Sequence, residues 1–312
     1  MPKLVELSDK IKIQKYLTTI QHSSVIKKIT ATWPINDINR LKSASNEGAI
    51  LITASPTVPE YCISGHGLYT QALCYRLNLP HSRTPSGTCL CDQPVTHYHL
   101  TSVCTHGGLR IGKHNATRDA TVLMARAAGY TTHGESRLNN TTNRALDFLI
   151  DNFEHGRGMY GDISIIDVSQ QKYNGGRIEA GQAALDRENE KLHSYRDELE
   201  VLGAPMTPCV IETLGNWGNK FRTLFDFLTK RILERRAGTH IVVSDSGTRR
   251  YWKTLIQMTY FRASCIAYHN RCENILIKRK TPAVTRMDRA LVQFPLNIDD
   301  NENYTLINAA FN

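Results

Sequence analysis

Between residues 114 and 212 the spacing of apolar residues changes several times, and each change predicts a new element. Apolar residues recur at three- and four-residue intervals over 114–128 and 178–202, which predicts two helices that each end at a glycine. Short apolar runs bounded by turn residues predict four strands, expected at 130–135, 145–150, 163–168 and 206–212. The predicted order is helix, three strands, helix, strand, which is an α/β arrangement.

The rest of the chain differs from this predicted core in composition. Residues 1–80 contain helical patterns interrupted by prolines, which predict a helical lead-in. Residues 81–113 are rich in Cys, His, Thr, Ser and Gly and poor in apolar residues, so we expect a bound metal to order them. We assign the core to 114–235, and we expect basic helices and a polar tail over 236–312.

Two aspartates stand inside apolar strands of the predicted core. Asp147 lies in Ala-Leu-Asp-Phe-Leu-Ile, and Asp167 lies in Ile-Ser-Ile-Ile-Asp-Val. Burying a carboxylate is costly unless it is paired or binds a cation, so on adjacent strands the two would converge on Mg²⁺ or Mn²⁺. A single aspartate of this kind more often caps a turn or pairs with an arginine. Glu135 is a candidate third acid, although such residues are usually found on the surface.

A lysine is expected beside such acids, where it orients the attacking water and stabilises developing negative charge. In the commonest arrangement of such sites this lysine lies two residues after the second acid, but here that position holds Ser169. Lys172 follows nearby in the sequence, and Lys191 lies on the second predicted helix. We favour Lys191, because a lysine on that helix can reach the strand ends; the alternative is a surface lysine.

Soft metal ligands are concentrated within sixteen residues of the polar segment. Cys89, Cys91, His99 and Cys104 are the predicted ligands of one structural Zn²⁺, with His97 as a substitute for His99. The alternative is a set of buried, reduced cysteines. A second zinc pattern, His133-Gly-Glu135 followed by Pro208-Cys209, resembles that of nucleobase deaminases, but its second cysteine position holds Glu212.

Basic residues exceed acidic residues by nine, and several of them cluster near the end of the chain. A polyanionic partner such as DNA or RNA suits this balance, because Lys and Arg release counterions from phosphates. Solvated helix faces are the alternative for any one cluster. The predicted backbone contacts are Arg231, Arg235, Arg236, Arg249, Arg250 and Lys253.

No apolar run is long enough to span a membrane, and the charged first residues do not form a signal peptide. We therefore expect an intracellular protein without a membrane partner, whose eight cysteines are reduced thiols or metal ligands.

Several stretches resemble the carboxy-terminal region of non-LTR retrotransposon polyproteins that carry a restriction-like endonuclease. The resemblance covers roughly residues 37–225. Its main pieces are Tyr75-Arg-Leu-Asn-Leu-Pro80, the Cys-x-Cys…His…Cys segment, Gly107-Gly-Leu-Arg-Ile-Gly-Lys-His-Asn115, the two aspartate strands, Lys191…Tyr195, and Glu212-Thr-Leu-Gly-Asn-Trp-Gly218. The predicted element order is also that of the PD-(D/E)xK nuclease core.

The resemblance implies a zinc knuckle beside a nuclease core that nicks target DNA for reverse transcription. It further implies a nuclear location where the host has a nucleus, and the polymerase part of the same element as a partner. This chain reads Arg144-Ala-Leu-Asp147 where the family usually has Arg-Pro-Asp, and it has no Tyr-x-Asp-Asp polymerase motif. The rival hypothesis is a catalytically inactive, zinc-stabilised nucleic-acid-binding protein derived from such an element.

Overall fold

The fold is described from a computed structural model of the 312-residue chain. It covers residues 21–29, 31–54, 68–77, 79, 81, 84–96, 98–104, 106, 109–137, 145–154, 156–173, 176, 178–237 and 244–280. The predicted polar tail at 296–312, the substitute zinc ligand His97 and Arg144 lie outside these residues.

Eight helices can be assigned with full bounds in the described part of the chain. They are α1 (Ile35–Ser43), α2 (Ile50–Thr53), α3 (Leu68–Leu77), α4 (Leu109–Ala127), α5 (Gln182–Ser194), α6 (Arg196–Leu202), α7 (Asn219–Arg236) and α8 (Asp245–Lys280). Short 3-10 turns cover Asn46–Ala49 and Gln171–Tyr173, and a π-helical turn, here called the π turn, covers His99–Val103.

The described residues between α4 and α7 form six strands. They are β1 (Thr132–His133), β2 (Ser136–Arg137), β3 (Ala145–Leu146), β4 (Phe148–Glu154), β5 (Arg157–Ile166) and β6 (Met206–Glu212). The main sheet has the order β1-β4-β5-β6, in which β1, β4 and β5 are antiparallel neighbours and β6 runs parallel to β5. A parallel neighbour requires a crossover, which α5 and α6 supply. The predicted α/β class is confirmed.

The hairpin before β5 is interrupted at Asp147. β2 pairs with β3, and β1 pairs with β4 in the continuation of the same antiparallel register. The interruption lies between β3 and β4 on one arm and between β1 and β2 on the other. The predicted strand at 145–150 is therefore two strands separated by one aspartate.

Strand β5 begins at Arg157, six residues before the predicted start at Ile163. The glycines Gly158 and Gly161 indicated a turn in the sequence, but both lie inside the strand. A Cβ atom at Gly161 would collide with the ring of Phe148 on β4, so glycine is present there because the two strands pack closely.

Helices cover both faces of the main sheet. Cys209 and Ile211 of β6 join a large core with residues of α4, α7 and α8. Val210, between them, points to the opposite face and packs with Ala183 and Ala184 of α5. A parallel strand buried on both sides is expected to be apolar, as Cys209, Val210 and Ile211 of β6 are, whereas Glu212 at its end is a buried carboxyl group.

Helix α8 contributes to the core along most of its length, although the sequence indicated a basic helix. Its buried side chains include Trp252, Ile256, Tyr260 and Ile275. The same core takes in Leu51 and Ala72 from the lead-in. The division into segments at 80/81, 113/114 and 235/236 stays a prediction. None of the helices in the described part of the chain is long and apolar enough to cross a membrane.

Candidate active site and metal centre

Asp147 is bound to β5 by two hydrogen bonds, one through its backbone N–H and one through its carboxylate. Its own N–H donates to the carbonyl of Gly161 at 3.0 Å, and the N–H of Ile163 donates to its Oδ2 at 2.5 Å. These two contacts flank Asp162 on β5. The carboxylate of Asp147 is therefore fixed beside Asp162, at the point where β3 gives way to β4.

Asp162 is a buried carboxylate with one cation beside it. Lys191 Nζ donates to its Oδ1 at 3.1 Å and lies 3.0 Å from Oδ2, where the hydrogen-bond geometry is poor. Burial raises the pKa of Asp162, Lys191 opposes that effect, and the charge of Asp147 adds to it. We call Asp147 and Asp162 the acid pair, because Asp147 is bound at Gly161 and Ile163, the two neighbours of Asp162, and its charge contributes to the raised pKa of Asp162.

His114, on α4, completes the group. Its Nε2 lies 3.1 Å from Asp147 Oδ2 and 3.1 Å from the carbonyl oxygen of Ile163, so this nitrogen carries a proton and donates. Burial alone would lower the pKa of His114, but hydrogen bonding and charge from Asp147, with support from Asp162, raise it overall. His114 and Lys191 thus each contact one member of the acid pair, His114 by a hydrogen bond to Asp147 and Lys191 by an ion pair with Asp162.

The structure does not bring Asp167 to Asp147, which corrects the predicted partnership. Asp167 lies five residues beyond Asp162, just after β5 ends, and is buried. Its Oδ2 accepts a hydrogen bond from Ser102, and its Oδ1 accepts one from the N–H of Ser169 at 2.8 Å. The sequence pattern does not indicate Asp162, because the apolar run that predicts this strand begins one residue later, at Ile163, whereas the strand itself begins at Arg157.

Glu135 and Lys172 occupy peripheral positions. Glu135 is exposed between β1 and β2, and continuation of the hairpin register sets its backbone across from Asp147. Lys172 forms a surface ion pair with Glu190 at 2.8 Å. Of the two lysines considered from the sequence, Lys191 is the one that contacts an acid beside Asp147.

The four predicted zinc ligands lie together. The ligand atoms of Cys89, Cys91, His99 and Cys104, here called the Cys3His cluster, all lie within 4.8 Å of one another. The Cys89–Cys104 and Cys91–Cys104 sulfur distances are 3.7 and 3.8 Å. Sulfurs bound tetrahedrally at about 2.3 Å from a zinc ion would be separated by about 3.8 Å. The cluster is therefore compatible with a structural zinc.

The acid pair offers fewer side-chain ligands than the Cys3His cluster. Among the described residues, only that cluster brings three or more His, Cys, Asp or Glu ligand atoms so close together. A divalent ion at the acid pair would therefore need further oxygen ligands, from water or backbone. Magnesium usually keeps several waters and binds through one or two carboxylates, so a two-acid site suits it.

The predicted phosphate-binding residues differ in how far neighbouring acidic side chains already neutralise their positive charge. Arg249 pairs with Asp226 and Asp245, and Arg231 pairs with Glu234. Arg235 donates to the carbonyl of Ala127 at 3.2 Å, at the end of α4. Arg250 is exposed on the same helix as Arg249. Arg236 and Lys253 have protein contacts as well, the latter 3.8 Å from Glu47.

The residues of the deaminase pattern do not form a metal site. His133 is exposed and lies 2.5 Å from Asp151, whereas Cys209 is fully buried in the core. Glu135 is exposed on the hairpin. These positions are not among the metal-ligand groups of the described residues.

Comparison of the sequence with models of known protein families gave no match, and comparison with curated proteins found no relative.

The sequence patterns do not assign a role to two residues of the site, Asp162 and His114. The Lys-His-Asn115 motif of the resemblance was the signal that could have indicated His114. No sequence pattern indicates Asp162, because it lies just before the apolar run that predicts the strand.

Proposed function

We propose that this chain is a metal-dependent DNA endonuclease of retroelement origin. The observation that carries the proposal is the acid pair with Lys191, formed where three antiparallel strands and one parallel strand follow a helix. Strand order β1-β4-β5-β6, with the crossover through α5 and α6, is the order expected of a PD-(D/E)xK nuclease core. The protein would act on DNA inside the cell, in the nucleus where the host has one. The polymerase part of the same element would be its partner.

In this reaction the side chains would have distinct roles. Asp147 and Asp162 supply hard oxygen ligands to Mg²⁺ or Mn²⁺, which when bound polarises a phosphoryl oxygen and lowers the pKa of a water. Lys191 places a positive charge beside Asp162, where it can orient that water and stabilise charge on the phosphate. In the usual pattern the lysine lies two residues after the second acid, a position held here by Ser164. His114 holds Asp147 in place through its hydrogen bond.

The Cys3His cluster would have a structural role in the same protein. Its ligands fix a segment that is poor in apolar residues against α8, where Cys89, Leu100 and Cys104 pack with Tyr268 and Cys272. A structural zinc would replace the core that such a segment cannot form alone. Basic side chains on α7 and α8 would then contact the DNA backbone.

The test is nicking of supercoiled DNA by purified protein with Mg²⁺ or Mn²⁺. Asp162→Asn should reduce the rate about a hundredfold or more and abolish the Mg²⁺-dependent rise in melting temperature. Asp151→Asn, the same change on the neighbouring strand β4, is the matched control and should retain both. Wild-type protein that neither cuts DNA nor gains stability from Mg²⁺ would reject the proposal and favour an inactive nucleic-acid-binding protein.

A further inference from the structure

The π turn connects the last two ligands of the Cys3His cluster, His99 and Cys104, and is held by three charged side chains of the core. Arg271 of α8 donates to the carbonyl of Leu100, and also to that of Cys104 at 2.8 Å. Lys113 of α4 donates to the carbonyl of Thr101. Asp167 accepts a hydrogen bond from the hydroxyl of Ser102.

All three of these charged residues are buried. The exposed fraction is 5% for Lys113, 2% for Asp167 and 4% for Arg271. A buried charge that loses its hydrogen-bond partner is strongly destabilising, so each of the three depends on the position of the π turn. The position of the π turn itself depends on the metal ligands at its two ends, His99 and Cys104.

Two of the three lie close in sequence to residues that form or contact the acid pair. Lys113 directly precedes His114, whose imidazole contacts Asp147. Asp167 follows the end of β5, the strand that carries Asp162 and supplies the Ile163 N–H to Asp147. A displacement of the π turn would therefore act on both partners of the acid pair, through α4 on one side and β5 on the other.

We propose that zinc at the Cys3His cluster and a divalent ion at the acid pair are coupled through the π turn. Lys113 and Asp167 act as the positioning residues that transmit the coupling. The inference rests on the proposed function for the existence of the second metal site. Asp167 thereby has a positioning role rather than the metal-binding role expected from the sequence.

Coupling between two binding sites is reciprocal. If zinc raises the affinity of the acid pair for Mg²⁺ by some factor, Mg²⁺ must strengthen zinc binding by the same factor. We expect a factor on the order of ten, within the usual range for coupled sites. A role of the π turn confined to folding would not make zinc release depend on Mg²⁺.

The experiment measures transfer of zinc from the intact protein to a soft-ligand chelator that binds zinc and not magnesium. The equilibrium is followed with and without saturating Mg²⁺, and Mg²⁺ binding is measured separately by calorimetry. In the wild type, Mg²⁺ should shift zinc retention by about tenfold. In Asp162→Asn, which lacks a ligand of the second site, Mg²⁺ should have no effect on zinc.

Three further variants test the transmission. Ser102→Ala and Asp167→Asn should still bind both metals, but the effect of Mg²⁺ on zinc retention should fall well below that of the wild type, because the route through Asp167 is cut and only the route through Lys113 remains. Ser169→Ala is the matched control, because Ser169 contacts Asp167 through its backbone N–H, and it should keep the wild-type coupling. Should Asp167→Asn fail to fold, Ser102→Ala, which alters only a hydroxyl, decides the matter.

The outcomes separate the two proposals. Wild-type protein that binds Mg²⁺ in an Asp162-dependent manner, yet releases zinc equally with and without Mg²⁺, overturns the coupling and leaves the nuclease proposal standing. Coupling of full wild-type size in Ser102→Ala overturns the route through Asp167. Wild-type protein that binds no Mg²⁺ at the acid pair rejects both.

Discussion

Glu212, at the end of β6, is a fully buried carboxyl group. Its Oε1 accepts a hydrogen bond from the N–H of Ala184 at 3.2 Å, near the start of α5. Burial raises its pKa to about 7, because desolvation outweighs the hydrogen bonds and the charge of Arg222. The folded protein therefore holds this proton over a pH range in which the unfolded chain has lost it.

The free energy of unfolding should depend on pH through Glu212. Because its folded-state pKa is raised, the stabilisation is complete below about pH 4.5 and is lost as the pH rises to about 7. The loss amounts to about 3 kcal/mol. Glu212→Gln should remove this pH-dependent loss of stability, because glutamine does not ionise. The free energy of unfolding of the variant should therefore exceed that of the wild type by a margin that grows between pH 5 and pH 8.

Denaturant unfolding at both pH values measures that margin. Glu190→Gln is the control, because Lys172 and Arg187 lower the pKa of Glu190, so Glu190 is ionised throughout pH 5 to pH 8 in both the folded and the unfolded chain and its variant's effect should not change over that range. A wild-type-minus-variant difference for Glu212→Gln that is constant with pH would show that Glu212 titrates normally in the folded protein.

At the same scale, single residues show what could be predicted from the sequence and what could not. Asp147, Lys191 and the four cluster residues have side-chain chemistry and sequence spacing that by themselves indicate a role. Asp162 does not, because its neighbours Gly158 and Gly161 are turn residues in most contexts. The reason for glycine at position 161, the Phe148 ring on the facing strand, is a contact that local sequence patterns do not encode.

Among the elements, the π turn and the hairpin carrying Cys89 and Cys91 have the least apolar support of their own. Cys89 N–H donates to Gln93 at 2.8 Å, and Val95 N–H donates to Gly87 at 2.8 Å, which closes the hairpin. Beyond these bonds the segment relies on the Cys3His cluster and on α8. Metal binding and local folding should therefore be one event.

Purified protein should contain one zinc per chain, and Cys104→Ser should lose it. The cost should be several kcal/mol, or a melting temperature roughly 10 °C lower. Cys74→Ser is the control, because Cys74 lies on α3, outside the cluster, and should retain zinc. Metal analysis and thermal denaturation check both variants; zinc-free wild-type protein with a fully protected 89–104 segment in hydrogen exchange would contradict the assignment.

Helix α8 shows why an element can be predicted while its environment is not. The sequence predicts basic helical structure after residue 236, and the structure confirms a helix there, over Asp245–Lys280. Its partners do not follow, because Trp252, Ile256 and Tyr260 face helices and strands that lie up to 200 residues away in the chain. Local periodicity specifies which face of a helix is apolar, and tertiary packing determines what covers it.

For the whole molecule, the excess of nine positive charges should make DNA binding strongly dependent on salt. The structure identifies which arginine to test. Arg235 donates to Ala127 and lies against Gly129, so changing it would also disturb the packing of α4 on α7. Arg250 is exposed and is the better probe of phosphate contact.

Arg250→Gln should lower affinity for all DNA sequences about equally and reduce the slope of log affinity against log salt by about one contact. Arg249→Gln is the matched control on the same helix. Two aspartates already match the charge of Arg249, so its loss should change the slope less. Fluorescence anisotropy between low and moderate salt measures both; equal slopes in all three proteins would exclude Arg250 from the interface.

The acid pair, assembled on neighbouring strands and contacted by His114 from α4 and Lys191 from α5, is the central feature of the whole molecule. The most direct test is a crystal structure of the protein soaked with Mn²⁺, with anomalous scattering used to locate the ion. The predicted result is an anomalous peak contacted by the carboxylates of Asp147 and Asp162, separate from the zinc at the Cys3His cluster. An absence of any peak there at saturating Mn²⁺, or a peak on Asp167 instead, would contradict the account.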